Sequence, residues 1–129
     1  MGHKFSIITP AYNSFNLMDK YFKSFLAQTF KDFELIIVDD CSSDKTYDLL
    51  IEQAKDMEID VKVFKTPKNS GPGTARNIGI DHSSGEWITF IDNDDWVDSD
   101  FLEKINNVIE KEKTDCEVLF KYGSLGYGL

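Results

Sequence analysis

Apolar residues along the chain follow two spacings in turn, one typical of buried strands and the other typical of amphipathic helices. Five mainly apolar runs are short, at four to six residues each, and polar or turn residues bound them. Runs of this length predict strands. The predicted strands are residues 5–8, 33–38, 61–64, 87–91 and 116–120.

Between these runs, apolar residues recur every three or four positions, which is the spacing of a helix with one buried face. Ser42, Ser43 and Asp44 are candidate caps for the second helix. The alternation of strands and helices predicts an α/β fold with a mostly parallel sheet and helices on both faces. The predicted helices are residues 15–28, a second carrying Leu50, Ile51, Ala54 and Met57, a third within SGPGTARNIGID, and a fourth marked by Phe101, Leu102, Ile105, Val108 and Ile109.

Three loops that follow predicted strands carry unusual polar chemistry. They are TPAYN at 9–13, VDDCSSD at 38–44 and DNDDW at 92–96. In open α/β sheets, ligands bind beyond the carboxyl ends of the strands. The three loops therefore predict a ligand site at one edge of the sheet.

The segment FIDNDDWVDSDF, residues 90–101, places five aspartates in twelve positions. Asp98 and Asp100 immediately precede a predicted helix, so helix capping explains both of them. Asp92, Asp94 and Asp95 lie before the cap, where close carboxylates repel one another. A hard divalent cation shared with a diphosphate would relieve that repulsion.

Other acidic and glycine-rich sites fit the sequence less well. An EF-hand starting at Asp92 would need Gly where Val97 stands, and the loop follows a strand. A phosphoacceptor receiver domain would place its acidic pair after the first strand, whereas Asp39 and Asp40 follow the second. A dinucleotide fingerprint in NSGPGTARNIG would need Gly where Arg76 stands.

Charge and composition narrow the possible partners. The formal net charge is −9 and the pI about 4.6, which disfavours general nucleic-acid binding. No apolar run approaches the ~20 residues of a membrane span, and MGHKFSIITP is not a secretory signal. Cys41 and Cys116 have no metal-type spacing, which favours free thiols in a reducing compartment. We therefore expect a cytoplasmic protein, or one peripheral to the inner face of a membrane.

Four segments of the chain, taken in order, match the pattern of one family. They are PAYN, SFLAQTFKDFELIIVDDCSSDKT, NSGPGTARNIGI and GEWITFIDNDDWV. Together they resemble the family-2 inverting glycosyltransferases, from Phe5 to about Ile109. The resemblance implies a Rossmann-like sheet of the GT-A type and binding of a nucleotide-diphosphate sugar. The sugar would be transferred to the hydroxyl of a saccharide, a lipid-linked molecule or another acceptor, as in polysaccharide biosynthesis.

The resemblance also implies roles for individual residues. Asp40 would accept a hydrogen bond from the imide N–H of uracil, which suits a carboxylate and a uridine diphosphate sugar. Tyr12 is expected to stack on the base. The implied nucleotide-binding residues are Pro10, Ala11, Tyr12, Asn13, Asp39, Asp40, Arg76, Asp92 and Asn93, and the implied ligands of Mg²⁺ or Mn²⁺ are Asp92, Asp94 and Asp95.

The resemblance covers only the nucleotide-sugar-binding part of such a domain, which would be residues 1–129. We expect the acceptor-binding half and the general base to lie beyond Leu129, so that the chain binds donor but transfers sugar poorly. An exposed apolar face where the second half would pack predicts a homodimer.

Two other functions remain open on the residues alone. A metal-dependent nucleotidyltransferase also uses paired carboxylates, although TPAYNSFN lacks the glycines and basic charge that bind a triphosphate. A non-catalytic nucleotide-binding module would leave the acidic loops merely solvated. The dependence of nucleotide affinity on Mn²⁺ would distinguish these functions.

Overall fold

The computed structural model describes residues 2–112, in which strands and helices alternate. Within that range, four parallel strands form one sheet in the order β3-β2-β1-β4. The strands are β1 Phe5–Ala11, β2 Phe33–Asp39, β3 Asp60–Lys65 and β4 Trp87–Phe90, and the helices are α1 Asp19–Leu26, α2 Thr46–Asp56, α3 Pro72–Asp81 and α4 Phe101–Glu112. The α/β architecture predicted from the apolar spacing is confirmed.

The two central strands, β1 and β2, are buried along their whole length. Their register pairs Phe5 with Phe33 and Ala11 with Asp39, so both strands end at the same level of the sheet. The loops that follow them consequently start side by side. Parallel pairing thus brings together segments that are almost thirty residues apart in the chain.

Helices cover both faces of the sheet, as predicted. On one face α1, α2 and α4 pack on alternate residues of β1 and β2, and α3 packs on the other face. A Cβ added at Gly79 would lie 2.5 Å from Ile8 Cγ2, so α3 packs closely on β1 because Gly79 has no side chain. The larger core includes Phe5, Ile7, Tyr21, Phe25, Leu35, Ile37, Leu50, Leu102 and Ile105, and the smaller includes Ile8, Ile36, Val38 and Ala75.

The first helix begins later than the spacing predicts. A 3₁₀ turn spans Phe15–Leu17, and α1 starts at Asp19 rather than near residue 15. The amide of Leu17 donates to Ser14 O, and the amide of Met18 donates to Phe15 O. Each bond joins residues three positions apart, so the chain forms a turn tighter than an α-helix before it enters α1. The prediction of one continuous helix over 15–28 is therefore wrong.

The start of α2 also differs from the expectation. Of the three candidate caps, Asp44 bonds the helix start: its Oδ1 accepts from the amide of Thr46 at 2.8 Å. Ser42 and Ser43 instead face the loop after β1. The predicted strand at 116–120 lies outside the described residues.

A buried carboxylate joins the strands at the end of the sheet opposite the loops of interest. Glu34 Oε2 accepts from Ser6 Oγ at 2.6 Å and from the amide of Ser84 at 2.7 Å, and Oε1 lies 2.7 Å from Lys62 Nζ. Burial by itself raises the pKa of Glu34, but these donors outweigh burial and lower its pKa to about 2. The ionised side chain thus links β1, β2, β3 and the segment before β4.

Strand β4 exposes apolar side chains within the described part of the molecule. Ile88 and Phe90 are 40% and 38% exposed, and they alternate on one face of the strand. An exposed apolar face was expected, while the homodimer itself stays a prediction. Among residues 2–112, every helix is too short or too polar to cross a membrane.

Candidate functional site

A cleft of about 280 Å³ opens at the carboxyl ends of the central strands. The loop after β1, the end of β2, the start of α3 and the loop after β4 all contribute to it. Its lining residues are Pro10, Ala11, Tyr12, Ser14, Leu17, Asp40, Pro72 and Asn93. Five of them belong to the predicted nucleotide-binding set, so residues from three separate sequence segments meet in one cleft.

Tyr12 and Leu17 are the most exposed large side chains of the cleft, at 44% and 64%. Ala11, immediately before Tyr12, is buried in the sheet. The chain therefore leaves the core at this position and presents an aromatic ring to the cleft. An exposed ring of this kind is a surface on which a planar base can stack.

Asp40 lies at the base of the cleft and is almost fully buried. Its Oδ1 accepts from Thr66 Oγ1 and from the amide of Ser70, both at 2.9 Å, and its Oδ2 accepts from the amide of Gly71 at 2.7 Å. Burial raises the pKa of Asp40, but these three hydrogen bonds outweigh burial and lower the pKa. Asp40 is thus ionised at neutral pH, and it fixes the chain that leads into α3.

The start of α3 requires a glycine. Gly71 has φ of 90°, a left-handed conformation that side chains with a Cβ rarely adopt, and Pro72 follows in the first turn. Sequence reasoning noted the glycines here but missed Thr66, Ser70 and Gly71 as partners of Asp40. The sequence shows a glycine immediately before a predicted helix, but it does not show that the amide of this glycine bonds Asp40.

The loop after β4 is tied to β1 through an asparagine. Asn93 Nδ2 donates to Pro10 O at 2.9 Å. The amide of Asp95 donates to Asp92 O at 3.1 Å, which closes a turn over these residues. The turn presents Asp92 and Asp94 to solvent, both exposed, and leaves Asp95 partly buried.

The carboxylates of Asp92, Asp94 and Asp95 do not converge within 4.8 Å of one another, the separation at which three side chains of the described region would form a metal-binding group. Their chemistry nevertheless fits a hard cation, because Mg²⁺ is commonly held by one or two carboxylates together with water and substrate phosphates. This turn can supply carboxylates of that kind.

Two predicted nucleotide-binding residues, Arg76 and Asp92, contact each other. Arg76 Nη2 lies 3.6 Å from Asp92 Oδ1, and the guanidinium lies 6.0 Å from the centre of the Phe90 ring. α3 and the loop after β4 therefore place a cation and a carboxylate beside the cleft, although neither lines it.

Asn13 and Asp39 do not line the cleft either. Asp39 is fully buried and accepts from the amide of Ser42 at 2.9 Å and from its hydroxyl. The Asn13 side chain bonds the loop after β2. Both residues therefore hold the loops to each other.

A second group of polar residues lies at the opposite end of the sheet. His3, Glu34 and Asp60 each place one oxygen or nitrogen within 4.8 Å of the others. The Lys62 ammonium already lies 2.7 Å from Glu34 Oε1, and His3 Nε2 lies 2.9 Å from Asp60 Oδ2. These ion pairs and hydrogen bonds account for the group without a metal.

The parallel sheet, with helices on both faces and a polar cleft at the strand ends, defines an α/β protein of the GT-A type. Residues 6–126 match the family described as glycosyl transferase family 2. The chain belongs to this family, which confirms the resemblance found in its four sequence segments.

Relatives and solved structures agree with this assignment. An uncharacterized glycosyltransferase of Haemophilus influenzae is 43% identical over 77% of this chain, and a poly(ribitol-phosphate) beta-glucosyltransferase of Bacillus spizizenii is 37% identical over 98%. The crystal structure of Staphylococcus aureus TarS, a poly(ribitol-phosphate) beta-N-acetylglucosaminyltransferase, superposes with a TM-score of 0.82 at 32% identity over 98% of this chain. The structure of TarS residues 1–349 in complex with UDP-GlcNAc superposes with a TM-score of 0.79 at 29% identity over 92% of this chain.

The chain spans only part of each of these proteins. It covers 39% of the Haemophilus relative, 20% of the Bacillus relative and 23% of the TarS chain. In the complex with UDP-GlcNAc it covers 37% of the TarS fragment.

Proposed function

We propose that this chain binds a uridine diphosphate sugar in the cleft beside Tyr12 and Asp40, as the donor site of an inverting glycosyltransferase. The observation that carries the proposal is the meeting of Pro10, Ala11, Tyr12, Asp40 and Asn93 in one cleft. Each of them belongs to the set that the family resemblance assigns to the nucleotide. The cleft lies at the carboxyl end of a parallel sheet, where α/β proteins bind nucleotides.

The hydrogen bonding of Asp40 favours uracil. Each carboxylate oxygen accepts about two hydrogen bonds. Oδ1 already has two donors and Oδ2 has one, the amide of Gly71, so one acceptor position is left. Uracil offers a single N–H between two carbonyls, whereas guanine, cytosine and adenine each carry an amino group with two N–H donors on the same edge. A base with one donor fits this carboxylate best.

Tyr12 would add affinity for the base without selecting which base binds. Its exposed ring stands at the cleft wall, and stacking of a base on an aromatic side chain contributes ~1–3 kcal/mol. Stacking tolerates any base, so Tyr12 would supply affinity while Asp40 supplies selectivity. The solved complex of TarS with UDP-GlcNAc belongs to a relative with the same fold, and it supports a uridine nucleotide here.

The diphosphate would lie toward Asp92, Asp94 and Asp95, with Arg76 beside them. Asp92 and Asp94 are exposed and able to hold Mg²⁺ or Mn²⁺ together with phosphate oxygens. The cation, when bound, would supply Lewis-acid stabilisation of the leaving diphosphate. Arg76 lies beside Asp92 and presents a planar donor group that matches phosphate oxygens, so it would help to orient the diphosphate.

The proposal also concerns the acceptor site and the general base. The family resemblance places both in the second half of the domain, and this chain spans 39% of the Haemophilus relative and 20% of the Bacillus relative. We infer that residues 1–129 hold the donor and that efficient transfer needs the acceptor half. The names of two relatives suggest a hydroxyl of a poly(ribitol-phosphate) polymer as acceptor.

Calorimetric titration with uridine diphosphate, with and without Mn²⁺, tests the proposal. We expect binding that Mn²⁺ strengthens, and weaker binding of adenosine and guanosine diphosphates. UDP-GlcNAc and UDP-glucose are included because the named relatives transfer different sugars. Tighter binding of a nucleoside triphosphate with release of pyrophosphate would indicate a nucleotidyltransferase, and affinity unchanged by Mn²⁺ would indicate a non-catalytic module.

A further inference from the structure

Asn13 joins the loop after β1 to the loop after β2. Its Oδ1 accepts from the amides of Ser43 at 2.9 Å and Asp44 at 3.2 Å, and its Nδ2 donates to Ser43 Oγ at 3.0 Å. The amide of Asn13 donates to Ser42 Oγ at 2.9 Å. With a longer bond from Ser43 Oγ to Asn13 Oδ1 at 3.4 Å, five hydrogen bonds connect this residue to the neighbouring loop.

The neighbouring loop is itself anchored in the sheet. Ser42 donates from its amide and from its hydroxyl to Asp39, which is fully buried at the end of β2. A continuous series of bonds therefore runs from β2 through Ser42 to Asn13. Each oxygen of the Asp39 carboxylate accepts one bond of this series, and Asp39 does not line the cleft.

The backbone of Asn13 is in an unusual conformation. Its φ is 47°, in the left-handed region that asparagine tolerates better than most residues. Three of the four hydrogen-bonding positions of its amide are used within the protein, which leaves one N–H. Asn13 is therefore built into the protein as a connection between loops and has little capacity left for a ligand.

Tyr12 lies between two fixed points. Ala11 is buried in β1 on one side, and Asn13 is bonded to the second loop on the other. The side chain of Tyr12 is exposed in the cleft, so its position depends mainly on the backbone at these two neighbours.

We propose that Asn13, together with Ser42 and Asp39, is a positioning residue that fixes the Tyr12 ring for stacking on the base. This inference rests on the proposed function, and it differs from the nucleotide contact that the family resemblance implied for Asn13. A preformed ring avoids the entropic cost of ordering the loop on binding. Asn13 should therefore raise the affinity for uridine diphosphate only when Tyr12 is present.

A double-mutant cycle tests this coupling. Asn13→Gly keeps the left-handed conformation accessible but removes the side-chain bonds. Uridine diphosphate affinity is measured for the wild type, Asn13→Gly, Tyr12→Leu and the double variant. We expect Asn13→Gly to weaken binding about tenfold in the wild-type background and to have no effect in the Tyr12→Leu background.

Asn13→Asp is the conservative rescue. It keeps an acceptor for the amides of Ser43 and Asp44 and removes only the Nδ2 donor. Uridine, which carries no phosphate, is the probe for this variant so that the added charge does not act on a diphosphate. We expect uridine affinity within about twofold of the wild type, and a smaller loss than for Asn13→Gly.

Three results would overturn the inference. Equal losses from Asn13→Gly in both backgrounds would show a direct contact with the ligand, and so would an Asn13→Asp protein as weak as Asn13→Gly. No loss in the wild-type background would remove any role in binding. Failure of the wild type to bind uridine diphosphate is a separate result, which would overturn the proposed function and this inference with it. Thermal unfolding of each variant identifies any that fails to fold, and Ser43→Ala then replaces Asn13→Gly in the cycle.

Discussion

Arg76 on α3 and Asp92 after β4 form an ion pair beside the cleft, with 3.6 Å between Nη2 and Oδ1. Their side chains are 38% and 60% exposed, and exposed pairs of this kind typically contribute only ~0–1 kcal/mol to stability. Breaking this ion pair therefore costs little free energy when Arg76 forms a stronger one. A diphosphate carries more charge than one carboxylate, so Arg76 can leave Asp92 for phosphate at little energetic cost.

The first prediction follows from this weak pair. Arg76→Gln should lower uridine diphosphate affinity about tenfold or more, because a hydrogen bond to a charged group contributes ~1.5–3 kcal/mol. The free energy of unfolding should change by less than about 1 kcal/mol. Calorimetry and urea denaturation measure the two effects, with Arg76→Lys as the variant that keeps the charge. An equal loss of affinity for uridine would show that Arg76 acts on the base or the fold instead of the phosphates.

The second prediction concerns the cation. Asp94→Ala should abolish the strengthening of uridine diphosphate binding by Mn²⁺ while leaving thermal unfolding unchanged, because Asp94 is an exposed carboxylate in the turn after β4. Asp98→Ala is the matched control, since Asp98 is an exposed acid of the same loop outside the predicted ligand set. Retention of the Mn²⁺ effect in the Asp94 variant would contradict the predicted metal site.

The third prediction concerns the base. Asp40→Asn should keep an acceptor for Ser70 and Thr66 while it presents an N–H group where a carboxylate oxygen stood. That donor repels the imide N–H of uracil and suits the ring nitrogen of cytosine. We expect uridine diphosphate to bind about ten- to hundredfold more weakly. The ratio of uridine to cytidine diphosphate affinity should fall.

Competition titrations with both nucleotides measure that ratio. Thermal unfolding is measured alongside, because Asp40 also fixes the start of α3 through Gly71. An equal loss for both nucleotides would assign Asp40 to the loop alone and remove it from base selection.

The fourth prediction is a dependence of stability on pH. The pKa of Glu34 falls from 4.5 to about 2 on folding, so its stabilising contribution is complete above pH 4.5 and is lost as the pH falls from 4.5 toward 2. The shift corresponds to a contribution on the order of 3 kcal/mol. Glu34→Gln should be less stable at pH 7, where Lys62 loses its charged partner. It should also lose less additional stability on acidification.

Urea denaturation at pH 7, 5, 4 and 3 compares this variant with the wild type. Glu52→Gln makes the same chemical change at an exposed position of α2 and serves as the control. Parallel acid profiles for wild type and Glu34→Gln would mean that Glu34 has no part in acid unfolding.

The sequence by itself determined the order and type of the elements. Hydrophobic spacing reports which face of a segment is buried, and that relation is local, so β1, β2 and the helices could be predicted from it. The location of the cleft also followed, because parallel strands must place their carboxyl ends at one edge. Pro10, Ala11, Tyr12, Asp40 and Asn93, which the family resemblance assigns to the nucleotide, line this cleft, and their contact with a nucleotide stays a prediction.

Only the tertiary structure decided what each polar side chain bonds. Asn13 bonds Ser43, Asp40 bonds Gly71, and Arg76 faces Asp92, with 30, 31 and 16 positions between the partners. Nothing in local spacing distinguishes an acid that holds a loop from an acid that faces a ligand, since both are carboxylates after a strand. The distinction depends on which N–H groups the folded chain brings within hydrogen-bond distance, and packing of the whole sheet sets those distances.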